Sequence, residues 1–253
     1  MRIGLTIRSL IVAGLISASA ASVPSAIDPV QSIVRMVEAR YHSSRTLKAV
    51  FLERYTDGRR TVRVESGKAF FSHPGRMRWE YESPEEKLFL TDGKIAWFYV
   101  PADHTVTRAP MKESDDWRTP FALLTGKATL SRVCKRIELT DARSETPGNL
   151  ILKCSPAGAN GGASSNKPAQ PHVDASQPAS LEQSGEIQEI FLEVDPKLGW
   201  LASVLIRQSG GVEIEYRFGK WESNVELDEA IFHFSAPKGV AIVDEDAPGH
   251  IKQ

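Results

Sequence analysis

The chain has 253 residues, with 31 Lys and Arg against 32 Asp and Glu and a formal net charge of −1 at neutral pH. That balance generates no field that would draw nucleic acid or strongly anionic lipid. With 41% hydrophobic residues the chain can bury a core, its length fits one domain, and its two cysteines are too few for a structural zinc site.

The first residues are set apart from the rest. Arg2 and Arg8 precede an apolar run from Leu10 to Ile16, which gives way to Ser17-Ala18-Ser19-Ala20-Ala21. A basic start, a short apolar stretch and small residues at an A-x-A site make a secretory signal peptide, and the run is too short to span a bilayer. Cleavage is expected after Ala20, with Ala26 as the second choice, and no Cys at either point would carry a lipid. Loss of Arg2 and Arg8 leaves 29 of the 31 basic residues, so the exported chain stays near neutral. A soluble protein is expected, in the periplasm if the cell has two membranes.

Asp28-Pro29-Val30-Gln31 reads as a helix start, with Asp28 as cap and Pro29 in the first position. Val30, Ile33, Val34, Val37 and Tyr41 recur at helical spacing to about Ser43, forming one amphipathic helix that needs a surface to lie on. Strand signals follow at Leu47–Thr56 and, shorter and more polar, at Thr61–Glu65, with Asp57-Gly58 as the turn.

The stretch Gly67–Pro101 is the densest in strand signals. Gly67–Ser72 ends at His73-Pro74-Gly75. Met77, Trp79 and Tyr81 alternate with Arg78, Glu80 and Glu82. Lys87–Leu90 and Ile95–Val100 flank an Asp92-Gly93 hairpin turn. None of the connections has room for a crossover helix, so an antiparallel sheet is expected, greasy on one face. Thr105–Ala109 extends it. Thr119 as cap, Pro120 at the first position and Gly126 at the end frame a short helix, with Trp117, Phe121 and Leu124 on one face.

Ser131–Thr140 and Leu150–Cys154 read as a hairpin carrying both cysteines. Export favours their pairing. The facing pattern opposes it, because Cys154 shares parity with Leu150 and Leu152 while Cys134 shares it with Arg136 and Glu138. A disulfide between Cys134 and Cys154 therefore requires a bulge. Residues from about 155 to 185 are almost all Ala, Gly, Ser, Asn, Gln and Pro, and are expected to be a disordered insertion. Ile187–Val194, Leu201–Gln208, Val212–Phe218 and Ala230–Phe234 resume the strands, and residues 244–253 form a polar tail. The expected fold is mainly β: an incomplete, half-closed antiparallel barrel of about ten or eleven strands with an α-helical lid. It occupies residues 27–243 as one domain.

Signs of catalysis are sparse. The six histidines, His42, His73, His104, His172, His233 and His250, form no metal-ligand spacing. There is no G-x-S-x-G, no glycine-rich loop leading into a helix, and Glu85-Glu86 and Asp115-Asp116 sit in turns. No enzyme, metal or cofactor is expected. The aromatic residues of the middle of the chain fit either an ordinary core or a cavity for an apolar ligand.

Gly67, Pro74, Gly75, Arg76, Arg78, Trp79, Glu80, Tyr81 and Pro84, followed by Thr91-Asp92-Gly93-Lys94, Trp97-Phe98-Tyr99 and Pro101, form a pattern that resembles the LolA family of outer-membrane lipoprotein carriers. Thr119-Pro120-Phe121-Ala122-Leu123-Leu124 and the closing Phe232, Phe234, Pro237, Gly239 and Val240 are similar to two further segments of that family. The resemblance runs in order from about Ile27 to Val243. It implies a periplasmic, non-enzymatic chaperone that shields the acyl chains of lipoproteins in a hydrophobic cavity. The partners it implies are acylated lipoproteins as cargo, an inner-membrane ABC lipoprotein-release complex and an outer-membrane lipoprotein receptor, with no nucleic acid, and the protein is expected to be a monomer. The alternative is a non-enzymatic periplasmic sensor or regulator of lipid or lipoprotein on the same fold. By alternation the cavity candidates are Phe51, Trp79, Tyr81, Leu88, Leu90, Trp97, Tyr99, Phe121 and Leu124, and a one-residue register change would bring Phe89 and Phe98 in instead.

The family usually has Arg immediately before the Pro of the P-G-R segment, where it ties barrel to lid. This chain has His73. Either His73 is a half-buried turn residue, or His73, Arg76 or Arg78 serves as the latch. Acting as a cation, a His latch would weaken as pH rises through its pKa.

Overall fold

The computed structural model describes residues 28–58, 60–111, 119–142, 144–157 and 186–244. The signal peptide and most of the low-complexity insertion and polar tail expected from the sequence lie outside these residues, as does Trp117.

Among the described residues, twelve strands form a single sheet: β1 (Thr46–Asp57), β2 (Arg60–Ser72), β3 (Arg76–Ser83), β4 (Lys87–Thr91), β5 (Ile95–Val100), β6 (Thr105–Pro110), β7 (Cys134–Thr140), β8 (Leu150–Pro156), β9 (Ile187–Val194), β10 (Leu201–Gln208), β11 (Val212–Ser223) and β12 (Ala241–Asp244). Their order is β12-β6-β5-β4-β3-β2-β1-β11-β10-β9-β8-β7, so the sheet has two edges and is not a closed barrel. The helices are α1 (Pro29–His42), α2 (Thr119–Leu124) and α3 (Leu130–Val133). The expected half-open antiparallel barrel with helices is therefore present.

Four details differ from expectation. The runs at Thr61–Glu65 and Gly67–Ser72 are one strand, β2, and the break between them is a shift in its pairing with β3 at Ser66/Gly67. Gly67 is required there by close approach, since a Cβ would lie 1.8 Å from the Glu80 carbonyl oxygen. The hairpin expected to begin at Ser131 starts with the short helix α3, and its strand begins at Cys134. Ala230–Phe234 is not a strand. Asp228 caps a 3-10 turn over Glu229–Phe232 by accepting from the Ala230 N–H at 2.9 Å, which diverts the backbone from extended geometry. Finally, β12 pairs parallel to β6, so the sheet is not wholly antiparallel. The long return from β6 to residue 241 removes the constraint that short connections impose.

The α1 stripe falls as its spacing requires. Asp28 accepts from the Val30 N–H at 3.0 Å, and Val34, Val37 and Tyr41 are buried. The Tyr41 hydroxyl accepts from the Leu201 N–H at 2.9 Å, and Tyr41 packs edge-on to Trp200 and Trp221. This fixes α1 against the β9–β10 and β11 side of the sheet.

Cys134 and Cys154 form a disulfide with Cα atoms 5.3 Å apart. The β7–β8 ladder shifts register between Cys134 and Arg136, so Leu139 faces Leu152 and both sulfurs turn inward. The bulge reconciles the two opposing parities.

Candidate functional site: the inner wall and its helical cover

Strand register separates the two faces of the sheet. Phe51 on β1 neighbours Gly67 on β2, Gly67 neighbours Tyr81 on β3, Trp79 faces Phe89 on β4, and Phe89 faces Phe98 on β5. These positions share one face because side chains directly opposite in a ladder point the same way. Phe51, Trp79, Tyr81, Phe89 and Phe98 are all buried in the main core. Trp79 is its hub, with ring centroids of Phe51, Phe71, Phe121, Tyr216 and Phe218 at 4.8, 5.7, 5.1, 5.4 and 6.0 Å.

Of the cavity candidates read from the sequence, Phe51, Trp79 and Tyr81 lie on this inner wall, and Phe121 and Leu124 are buried against it from α2. Leu88, Leu90, Trp97 and Tyr99 do not. Leu88 faces Tyr99 and Leu90 faces Trp97, one residue out of step with Phe89 and Phe98. Each strand carries apolar residues at both parities, so alternation alone could not choose the face.

The outer four have their own cover. Phe234 stacks on Trp97 at 5.3 Å and packs on Tyr99 at 5.7 Å. Leu90, Val106 and Phe232 are buried apart from the main core. Arg78 donates to the Ile231 carbonyl at 2.9 Å and pairs with Glu80 at 2.6 Å. Arg76 lies over the Phe232 ring at 5.4 Å and reaches Glu229 at 3.3 Å. The two arginines considered as latches therefore fasten the C-terminal segment to the outer face.

α2 covers the inner wall. Phe121 stands edge-on to Tyr216 at 4.9 Å and to Trp79, and Leu123 and Leu124 are also buried. Three bonds hold the C-terminal end of this cover. The His73 Nε2–H donates to the Leu124 carbonyl at 3.2 Å, the Gly75 N–H donates to the Thr125 carbonyl at 3.0 Å, and Lys127 Nζ donates to the Gly93 carbonyl at 3.0 Å. The first two satisfy carbonyls that a helix end leaves without partners. A carbonyl can only accept, so His73 must carry its proton on Nε2. Gly126, at φ +68°, turns the chain here, and a Cβ on it would sit 2.7 Å from the His73 ring. Only the residue preceding Pro74 was legible beforehand. Gly93 and Thr125 act through backbone carbonyls, accepting from Lys127 Nζ and the Gly75 N–H, and no sequence pattern advertises these pairings.

Burial holds the His73 pKa below the ordinary imidazole value, against the bond to Leu124, which raises it. His73 is thus neutral at pH 7. The expectation of a cationic latch that weakens with rising pH is corrected: the neutral Nε2–H already donates, and protonation is what the closed site disfavours.

At the other end of the strands the inner wall becomes charged. Glu53 faces Glu65 across β1–β2 and Tyr216 across β1–β11. Both carboxylates are 1% exposed. Tyr81 Oη donates to Glu53 at 2.8 Å and Lys87 Nζ donates to Glu65 at 2.7 Å, with Arg63 Nε 3.2 Å from Glu65. Burial, opposed by the Tyr81 bond, pushes the Glu53 pKa up to about 7. Sequence reading passed over this cluster, although a signal was present: Glu53 continues the parity of Leu47, Ala49 and Phe51 on the greasy side of β1. No group of three or more His, Cys, Asp or Glu among the described residues is placed to hold a metal.

Residues 42–164 match the model of the family described as outer membrane lipoprotein carrier protein LolA. The chain is 26% identical over 215 residues to an outer-membrane lipoprotein carrier protein of Nitrosomonas europaea, covering 84% of this chain and 89% of that one. It is 28% identical over 221 residues to one from Chromobacterium violaceum, covering 85% and 89%. Among solved structures it is similar to a LolA superfamily protein from Nitrosomonas europaea, with a TM-score of 0.40 at 11% identity, covering 81% of this chain and 97% of that chain.

Proposed function

The chain belongs to the LolA family of outer-membrane lipoprotein carrier proteins, and from that premise we propose that its inner wall takes up the acyl chains of lipoproteins when α2 moves aside. The protein is a periplasmic lipoprotein carrier, not an enzyme. The observation that carries the finer reading is the seat of α2: one aromatic ring, Phe121, fills the centre of the aromatic wall, and three bonds hold the end of its helix. An acyl chain offers that wall a substitute for Phe121. Each CH2 withdrawn from water is worth about 0.8 kcal/mol, so a multiply acylated chain does not cross an aqueous compartment unshielded.

In this account the carrier receives cargo from an inner-membrane ABC release complex and gives it to a receptor on the outer membrane. His73 acts as the latch, and closure of α2 over the empty wall competes with the acyl chain and keeps affinity modest. Cleavage after Ala20, or after Ala26 as the second choice, would remove the signal peptide on export, leaving one carrier domain at 27–243 interrupted near 155–185. Depletion of the protein in cells, followed by fractionation of lipoproteins between the two membranes, tests transport. Retention at the inner membrane is expected, and an unchanged distribution would overturn the carrier reading.

A further inference from the structure

The α-helices of the described residues are not held alike. α1 is fixed near its end, where the Tyr41 hydroxyl accepts from the Leu201 N–H. α2 is held at its C-terminal end by the His73, Gly75 and Lys127 bonds. α3, just beyond it in the chain, is fixed from three directions. The Cys134–Cys154 disulfide ties its end to β8. The Ala157 N–H, immediately past β8, donates to the Val133 carbonyl at 3.0 Å. From the other side, Glu38 Oε1 of α1 accepts from the Ser131 N–H at 3.4 Å. Leu130, Val133 and both cysteines are buried in the main core.

The hydrogen bonds of α2 and α3 also form separate sets. Those of α2 and its turn close at the Ala122 carbonyl, which accepts from the Lys127 and Ala128 N–H groups. Those of α3 open at the Thr129 carbonyl, which accepts from the Arg132 and Val133 N–H groups. Thr129 stands between the two sets with extended backbone, at φ −100° and ψ 159°. Its hydroxyl turns towards α3, with Oγ1 3.0 Å from Ser131 Oγ.

We propose that the disulfide makes α3 a fixed post, so that the cover divides at Thr129: α2 and its turn swing aside for an acyl chain while α3 stays in the wall. The inference rests on the carrier reading and adds to it which part of the cover moves and what limits the movement. A detached α2 remains on a short tether beside its seat, at high effective concentration. Return of the cover, which competes with the acyl chain, depends on that proximity. Without the disulfide, α3 is held by its apolar contacts and two hydrogen bonds, and it can leave with α2. The tether then lengthens, and the entropic cost of re-seating the cover rises with it. The disulfide thus favours release without touching the acyl chain. Both cysteines are buried, out of reach of thiol exchange, which suits an anchor and not a redox switch.

The test is hydrogen–deuterium exchange of the parent and of a Cys134→Ala, Cys154→Ala double variant, each with and without a synthetic dipalmitoylated lipopeptide. In the parent, bound lipopeptide should loosen the α2 turn. The Arg132, Val133 and Cys134 amides, which bond to the Thr129 and Leu130 carbonyls, should keep their protection. In the double variant the same three amides should exchange about ten-fold faster once lipopeptide binds. Release of the lipopeptide should be about three-fold slower, the factor expected for a tether doubled in length. Retained protection of α3 in the lipopeptide-bound variant would overturn the disulfide as anchor. The parent measurement needs no substitution and decides the matter if the variant fails to fold: loss of α3 protection there would overturn the fixed post and leave the carrier reading intact. Exchange unaltered by lipopeptide at every amide of the parent would overturn both.

Discussion

β4 and β5 carry an apolar surface on each side, and the two are covered in contrasting ways. On the outer side, Phe234 lies over Trp97 and Tyr99, Phe232 lies beneath the Arg76 guanidinium, and Arg76 and Arg78 clamp the segment through charged side chains and the Ile231 carbonyl. On the inner side, α2 places Phe121 on Trp79 and Tyr216 and is tied at its end through three backbone carbonyls. A helix of six residues has little stability of its own and depends on what it lies on. In the proposed function the outer cover stays in place, and the inner cover gives way to something equally apolar.

That contrast is broken most severely at Phe232. Phe232→Ala removes a ring that is 1% exposed, and should cost about 3 kcal/mol in urea denaturation with acyl-probe affinity unchanged. A rise in probe affinity would mean that the outer face also binds ligand. Phe121→Ala should behave differently. Global stability falls by about 1–2 kcal/mol only, because α2 can detach without unfolding the sheet, and probe affinity rises about ten-fold as the competing ring is lost. Weaker probe binding would place Phe121 among the groups that hold the acyl chain.

The latch gives smaller effects. Gly126→Ala puts a Cβ into the His73 ring at a left-handed backbone position, costing the closed state about 1–2 kcal/mol. Probe uptake should be several-fold faster, and an unchanged rate would exclude the His73–Gly126 contact from lid opening. His73→Ala removes one bond of the three that favour the closure competing with the acyl chain, and should slow lipoprotein release about five-fold, corresponding to about 1 kcal/mol. Equal release rates for variant and parent would eliminate His73 as a latch.

The pH dependence has a definite sign. Burial under α2 lowers the His73 pKa from the ordinary imidazole value, and detachment of α2 relieves that burial. The open state therefore binds more protons as pH falls below that value, and closure is favoured above it. Probe affinity at pH about 5.5 should exceed that at about 7.5 in the parent and lose this dependence in His73→Ala. An increase in affinity with rising pH would reverse the assignment.

How far these covers could be read from the chain depends on how local their signals are. The α1 stripe, the Asp92-Gly93 hairpin and most strands follow from spacing and turn chemistry within a few residues. The need for a bulge beside Cys134 followed from parity alone. Faces were harder: β4 and β5 carry large apolar residues at both parities because both sides of the sheet are covered. Leu88, Leu90, Trp97 and Tyr99 therefore looked like cavity residues. Phe232-His233-Phe234 alternates as a strand does, but Asp228 turns it into a 3-10 cap whose rings pack on a distant sheet. The Glu53 cluster joins β1, β2, β3, β4 and β11, and only the register shows that its members meet.

The central claim is that α2 is a displaceable cover and the 229–232 segment is not. Hydrogen–deuterium exchange with and without an acylated lipopeptide measures both covers together. Bound lipopeptide should speed exchange at the Thr125, Gly126 and Lys127 amides, which bond to the Phe121, Leu123 and Ala122 carbonyls, while the Ile231 and His233 amides keep their protection. Unchanged protection in α2 with ligand bound, or loosening of the 229–232 segment in its place, would contradict the account.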